Sequence, residues 1–547
     1  MTADDLRALI ETERARFEVP GAAVVVVHDD DVLLCEGFGE GTLGKTPVTA
    51  DTHFPIASDT KCFTAAALCI AADEGRLDLD APVRDVVPWF EMADHHATAL
   101  VSVRDLLSHR TGLPRHDLVW YGESTLTLEE IVRRLRYLPL SRQIRQTWQY
   151  NNLCYATAGY VTEVLEGRSW HEAIQALLLK PLGMGHTVFT PYDTSIADLA
   201  RPYKLVGDDL AEQVLPEDTG DRPAGAIVST VTDLTLWLKA RLGKGGLSEA
   251  ALTALQTPTM AGGLTSGRDK EIQSMGYGLG CQIVSYRGHK VVLHGGNLVG
   301  YSSQVMVAPE DGIGVAILTN LHGTALRDTV PLVMLDALLE LEPIGWGERY
   351  RELELAGRGG RDDVVEAKAA SATHDPPSRP FSDFAGEFAH PAYGTLTITV
   401  AGDGLDADFH ALGDRVKVLH RGGDRFELLF TEFDLPLALV PQLGADGTIT
   451  GFTAPLEAMV PPILFSRVIP ALPEALAEAL VGEWKMGPVT VTINRRGDGL
   501  VAAIPGSAPL PLEYAGDRSL TSPAMPVLRV TLRDDDLLIE PVGAFTR

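Results

Sequence analysis

The stretch from 355 to 380, LAGRGGRDDVVEAKAASATHDPPSRP, is polar, rich in Gly, Pro and Ala, and carries no sustained apolar period. Such a segment cannot keep one side of a helix or strand out of water, so it reads as an exposed linker. Its position divides the chain. With 547 residues the sequence is too long for one ordinary core. The linker leaves a large piece, residues 1–354, before it and a smaller one after it.

The smaller piece repeats itself. FAGEF at 384–388 is followed by TLTIT and then GDGL at 402–405; LVGEW at 480–484 is followed by VTVTI and then GDGL at 497–500. In each copy Gly-Glu-aromatic precedes an alternating strand, and Gly-Asp-Gly supplies the φ > 0 turn of a hairpin. The pattern predicts two tandem small antiparallel β-barrels, at 381–470 and 474–547.

The large piece has a different texture. An amphipathic helix opens it, and the β-branched runs AAVVVV and DVLLC flank His28-Asp29-Asp30-Asp31 as a hairpin. Residues 57–240 are mostly helical patterns broken by Gly and Pro. Strand patterns return between 275 and 320, and a further helix starts at Ala325. Helix, strands, a helical insert, strands and helix describe an α+β domain with an antiparallel sheet and helices grouped on its faces.

Composition excludes some functions. Asp and Glu number 74 against 46 Lys and Arg, a formal charge of −28 that repels phosphate backbones, so nucleic acid is not an expected partner. Five cysteines in apolar surroundings, without a Cys-x-x-Cys pair, read as buried reduced thiols and not as a disulfide framework or zinc site. No stretch is long and apolar enough to span a bilayer, so no membrane partner is expected. The N-terminus lacks a basic segment followed by an apolar core. The expectation is a cytoplasmic protein, or a periplasmic one if a precursor was trimmed, monomeric or dimeric, with no cofactor and no metal.

Three short motifs carry chemistry. In FPIASDTKCFTAAAL, Ser58 and Lys61 are three apart and share one face of a helix that begins near the serine. The hydroxyl then sits at the positive end of the helix dipole, and burial of the lysine suits it to activate a weak nucleophile. Alone, the pair reads as a capping Ser with a snorkelling Lys. In WQYNNLCYATAGY, Tyr150 and Asn152 lie just before an apolar helical run, where a phenol beside an amine can pass a proton. In VVLHGGNLVGYSS, His294 ends a strand, and Gly295 and Gly296 permit close approach to the backbone.

Taken together, Ser58-x-x-Lys61, Tyr150-x-Asn152 and His294-Gly-Gly resemble the penicillin-recognising serine hydrolases: class C β-lactamases, D-alanyl-D-alanine carboxypeptidases, D-aminopeptidases and related esterases. The resemblance covers residues 5–345 and includes VRDLLSHRTGLPRHD, LLKPLGMGHT and RPAGAIVSTVTDLTLWL. It implies a β-lactamase-like catalytic domain followed by the two barrels, a layout closest to the D-aminopeptidases. It also implies Ser58 as the acylated nucleophile, Lys61 as its proton-accepting partner, and Tyr150 as the base that later protonates the leaving group. Asn152 would bind the substrate amide and position Lys61, and the N–H groups of Ser58 and Asn297 would form the oxyanion hole. His116, Asp117 and Trp120 are candidate cleft residues, and the loop 504–516 is a candidate cleft wall.

One departure separates the branches. Where many β-lactamases and carboxypeptidases carry Lys-Thr-Gly, this chain has His294-Gly295-Gly296, which removes a permanent cation. The implied activity is therefore cleavage of amide bonds in short peptides, including ones with D- or unusual residues and linearised cyclic peptides. The alternatives are a carboxylesterase, a β-lactamase, or an inactive ligand-binding homologue.

Overall fold

The computed structural model describes residues 1–547 apart from 123–124, 194, 208, 216–221, 264–268, 358–374, 411, 413–415, 432–434, 446, 470, 498, 517, 523 and 535. The chain forms two compact units. One contains Met1–Ala372 with the short segments Pro391–Tyr393 and Leu456–Pro461; the other contains Thr373–His390, Gly394–Pro455 and Pro462–Arg547. A helix over 346–357 runs past the boundary expected at 354, and most of the expected linker lies outside the described residues.

The first unit is built on eight antiparallel strands: β1 (Gly21–His28), β2 (Asp31–Thr42), β3 (Thr46–Pro47), β4 (Ile272–Tyr277), β5 (Gln282–Tyr286), β6 (His289–Leu298), β7 (Tyr301–Ala308) and β8 (Ile313–Thr319). Their order across the sheet is β3-β2-β1-β8-β7-β6-β5-β4. β1 pairs with β2 and β8 at once, Val24 lying opposite both Glu36 and Ile317, and its residues are buried on both faces. That is why its sequence is a continuous valine run and not an alternation. α1 (Ala3–Arg16) packs on one face of the sheet through Leu6 and Ile10, in the cluster that holds Val24, Ile317 and Leu335. The opposite face of β8 meets Leu238, where Gly314 leaves room.

α2 (Thr60–Asp73) is buried almost all round, from Thr60 through Cys69 and again at Ala71. An enveloped helix needs no polar stripe, which accounts for its uniformly apolar sequence. α3 (Asn152–Glu166) follows the Tyr150 segment, with Asn151 as its N-cap, and α4 (Leu326–Leu338) starts after Ala325.

The second unit contains the two predicted β structures. Eight strands from Gly386–His390 to Ile463–Arg467 form one antiparallel sheet, and eight from Gly482–Met486 to Gly543–Thr546 close into a barrel. The repeat is structural. Gly386 and Gly482 adopt φ of 146° and 142°, a backbone that favours glycine, and each follows a short helix. The aromatic two residues on, Phe388 or Trp484, is fully buried.

Candidate active site

Ser58 lies in a 3₁₀ turn, Ala57–Asp59, that runs directly into α2. The residue before it, Ala57, has φ of 46°, a left-handed backbone that costs an alanine about 1–2 kcal/mol. The turn is kept because its neighbours over-determine it. The Ile56 carbonyl accepts from Ser303 Oγ at 2.8 Å, and the Ile56 N–H donates to Ile227 O at 2.9 Å.

Lys61 is completely buried, one turn into the helix. Its Nζ donates to Ser58 Oγ at 3.1 Å and to Ala224 O at 2.8 Å. Tyr150 OH reaches the same Ser58 Oγ at 2.9 Å, and Lys61 Nζ is 4.9 Å from the centre of the Tyr150 ring. The three residues converge on one oxygen although 92 positions separate Ser58 from Tyr150. Asn152 is nearby on the first turn of α3: its Nδ2 donates to Asp117 Oδ1 at 3.1 Å, and its buried Oδ1 has no protein partner among the described residues.

His294 is buried in the same cluster, its ring 6.1 Å from that of Tyr150 and 6.3 Å from that of Tyr277. Its Nδ1 lies 2.8 Å from Gly295 O, which as a carbonyl can only accept, so Nδ1 carries the proton and Nε2 presents a lone pair. Burial, reinforced by the charge of Lys61, pushes its pKa down to about 3. The imidazole is therefore neutral at any working pH, and no acid limb near 6.5 is expected from it.

The two glycines after His294 have different reasons. A Cβ on Gly296 would stand 2.2 Å from Ile56 O and 2.4 Å from Ser303 Oγ, so close packing on the Ser58 turn requires glycine. Gly295 lines a cavity of about 640 Å³, and a Cβ on it would stand 2.3 Å from the end of the Gln304 side chain. β5 pairs with β6 only as far as Leu293, so among the described residues the edge of His294–Leu298 opposite β7 has no strand beside it.

That cavity is lined by Ser58, Tyr150, Gly295 and Asn297, together with Arg115 and Arg327. Ile272, Leu293, Met306 and Leu332 line it too, beside the polar Asp269, Gln282, Gln304, Asp328 and Glu354. Asn297 thus shares a cavity with the nucleophile, its side-chain oxygen accepting from Ser302 Oγ at 2.9 Å. Two arginines at this mouth were invisible to motif reasoning. Arg115 sits with its guanidinium carbon 5.1 Å from the Tyr150 ring centre and donates to Asp117, while Arg327 donates to Gly296 O at 2.8 Å.

The loop 116–120 corrects the expectation of a row of cleft residues. His116 is fully buried, its Nδ1 2.6 Å from Tyr393 OH and its Nε2 3.0 Å from Pro139 O; it holds the loop and does not line the cavity. Asp117 is half-buried and bridges Arg115 to Asn152. Trp120 is half-buried, packs edge-on to Tyr121 and is not among the lining residues. Left-handed backbone at His116, φ 48°, turns its ring inward and leaves Arg115 exposed.

Beneath the serine lies a carboxyl that sequence reasoning also missed. Asp59 is completely buried, and among the described residues the one side-chain partner of its carboxyl is Ser303, whose Oγ lies 2.6 Å from Oδ2; burial raises its pKa to about 8, so it is neutral at pH 7. No cluster of three or more His, Cys, Asp or Glu suited to a metal occurs among the described residues.

The family profile described as Beta-lactamase matches residues 6–339, and a Domain of unknown function (DUF3471) matches 370–464. The chain is 30% identical over 421 residues to an unguisins hydrolase of Aspergillus campestris, covering 72% of this chain and 77% of that one. A second unguisins hydrolase, from Aspergillus violaceofuscus, is 27% identical over 490 residues, or 81% and 84% of the two chains. Among solved structures, the octameric penicillin-binding protein homologue from Pyrococcus abyssi matches 92% of this chain and 99% of its own, with a TM-score of 0.56 and 21% identity. D-amino acid amidase from Ochrobactrum anthropi SV3 matches 62% and 99%, with a TM-score of 0.53 and 23% identity. These two structural likenesses concern the fold.

Proposed function

The chain belongs to the Beta-lactamase family of serine hydrolases, and on that premise we propose that it cleaves amide bonds of short peptides through an acyl intermediate on Ser58. The observation that carries the reading is the convergence of Lys61 Nζ and Tyr150 OH on Ser58 Oγ, at 3.1 and 2.9 Å. A serine hydroxyl is a weak nucleophile until a neighbouring group takes its proton. Here two groups are within reach.

The reaction follows from those contacts. Ser58 Oγ attacks the scissile carbonyl, and its proton passes to the Lys61–Tyr150 pair. The carbonyl oxygen, now negative, is held by the N–H groups of Ser58 and Asn297; one such donor is worth about 3 kcal/mol in the transition state. Tyr150 hands a proton to the leaving nitrogen as the C–N bond breaks. Water then repeats the attack on the ester, the same pair taking its proton, and Ser58 is regenerated. Asn152 Oδ1 and His294 Nε2 are both buried, outside the cavity lining and without a protein partner among the described residues, so they stand behind the reacting groups.

The cavity supports short substrates. Its 640 Å³ falls within the roughly 300–1,000 Å³ of small-molecule sites. Its mixed lining, Ile272, Leu293, Met306 and Leu332 beside Gln282, Gln304 and Glu354, suits peptides with both apolar and polar groups, including those with D- or other unusual residues and linearised cyclic peptides. Two relatives named as unguisins hydrolases, each aligned over most of the chain, support hydrolysis of this general kind. Neutral His294 replaces the cation that a β-lactam carboxylate would meet on this strand, which argues against a β-lactamase.

A fluorophosphonate probe read by intact mass tests the nucleophile: the wild type is expected to gain one adduct and Ser58→Ala none. A panel of peptide amides, p-nitroanilides, short esters and nitrocefin tests the substrate class. Turnover of esters alone, or efficient nitrocefin hydrolysis, would replace the peptidase reading.

A further inference from the structure

We propose that His109 is a positioning residue for Tyr150; the inference rests on the reading of Tyr150 as the proton carrier. His109 stands in the loop before the cleft, in left-handed backbone with φ of 56°. Positive φ is uncommon for a residue other than glycine, though histidine tolerates it better than most, and such backbone is kept only where its surroundings over-determine it.

The conformation puts two acceptors of one residue on either side of the tyrosine. The His109 main-chain oxygen accepts the N–H of Gln149 at 2.8 Å. Its ring Nδ1 accepts the N–H of Asn151 at 3.1 Å. Both peptide flanks of Tyr150 therefore hang on His109. Between them the imidazole lies against the phenol, ring centres 4.5 Å apart at 39°. Tyr277 and Tyr155, at 4.9 and 5.2 Å, complete the box around the imidazole.

The chemistry demands a neutral imidazole. Accepting from Asn151 places the ring proton on Nε2, and a second proton on Nδ1 would abolish the clamp. Burial and the charge of Lys61 keep the ring from taking it. Glycine or asparagine would serve the left-handed backbone, and phenylalanine would fill the box. Only an acceptor at the ring position also holds residue 151. The distance of Tyr150 OH to Ser58 Oγ, 2.9 Å, is thereby set from the backbone on both sides.

Leaving-group dependence separates this role from a purely architectural one. An amide needs the proton that Tyr150 returns; a p-nitrophenyl ester of the same acyl group leaves without it. His109→Phe keeps the ring and removes Nδ1. It is expected to lower kcat on the peptide amide about 100-fold, with KM within about threefold, while the matched ester falls less than about tenfold. His109→Gln, whose Oε1 can accept from Asn151, is expected to recover about tenfold of the amide activity, and it carries the test by its amide-to-ester ratio if the Phe variant does not fold. With an active wild type, equal losses on amide and ester overturn the role of His109 and leave the peptidase reading standing. A wild type inert toward both substrates overturns the two together.

Discussion

The two units bury different things. In the first, Asp59, Lys61, Asp105, His109, Arg241 and His294 are all out of contact with water. In the second, the only buried polar side chain among the described residues is Ser522. The closed barrel instead fills its interior with Trp484, Ile493, Leu520, Leu537 and Phe545. Burying a charge or an unpaired polar group costs stability, whereas burying an aliphatic side chain gains about 25 cal/mol per Å². The contrast teaches that the first unit accepts an electrostatic burden that the second avoids, and part of it, Lys61, Asp59 and His294, belongs to the serine site.

The sharpest way to break that contrast is to remove the buried amine. Lys61→Ala is expected to reduce amide turnover about as much as Ser58→Ala, on the order of 10⁴-fold or more, because groups that act as a unit are not additive. Single-turnover acylation kinetics would check it; a drop below tenfold would mean that the burial of Lys61 serves packing.

A next test asks whether the second unit lives by packing alone. Trp484→Ala should cost about 3–5 kcal/mol in the unit that holds it, seen as a lower transition in calorimetry. The fluorophosphonate labelling rate of folded protein should be unchanged. Slower labelling in the intact protein would show that the barrel contributes to the site.

The smallest effect concerns acid. His294, unprotonated when folded down to about pH 3, takes a proton near 6.5 when unfolded. The unfolded chain then binds more protons between those values, so stability falls as pH drops from 6.5 toward 3. At pH 5 the loss is about 2 kcal/mol from this one ring. Urea unfolding at pH 7 and pH 5 should show it, and His294→Gln should flatten the difference. An unchanged slope in that variant would assign the acid sensitivity to other groups, His109 first among them.

What could be read from the sequence follows the same division. Ser58, Lys61, Tyr150 and His294 were legible because their chemistry restricts residue type and because i, i+3 spacing on a helix is local. The barrels were legible because Gly386 and Gly482 need a backbone that other residues resist. The partners of these residues were not. Asp117 meets Asn152 across 35 positions, and His109 meets Asn151 across 42, with nothing in either neighbourhood to announce the pairing. The inward turn of His116 depends on one left-handed residue, and exchanging its place with that of Arg115 reversed which side chain faces the cavity. The glycine at 296 was read as room for a ligand, but the Ile56 carbonyl takes that room.

Among the described residues no strand pairs with the far edge of His294–Leu298, although Arg327 donates to Gly296 O and the Ser58 turn packs on Gly296. Bare strand edges invite a second chain to add on, the usual route to aggregation. This one is five residues long and ends against strand β5, too short to template a sheet yet long enough to grip an extended peptide. Added unfolded fragments or protease-cleaved tails are therefore expected to act as weak competitive inhibitors, raising the apparent KM without lowering kcat.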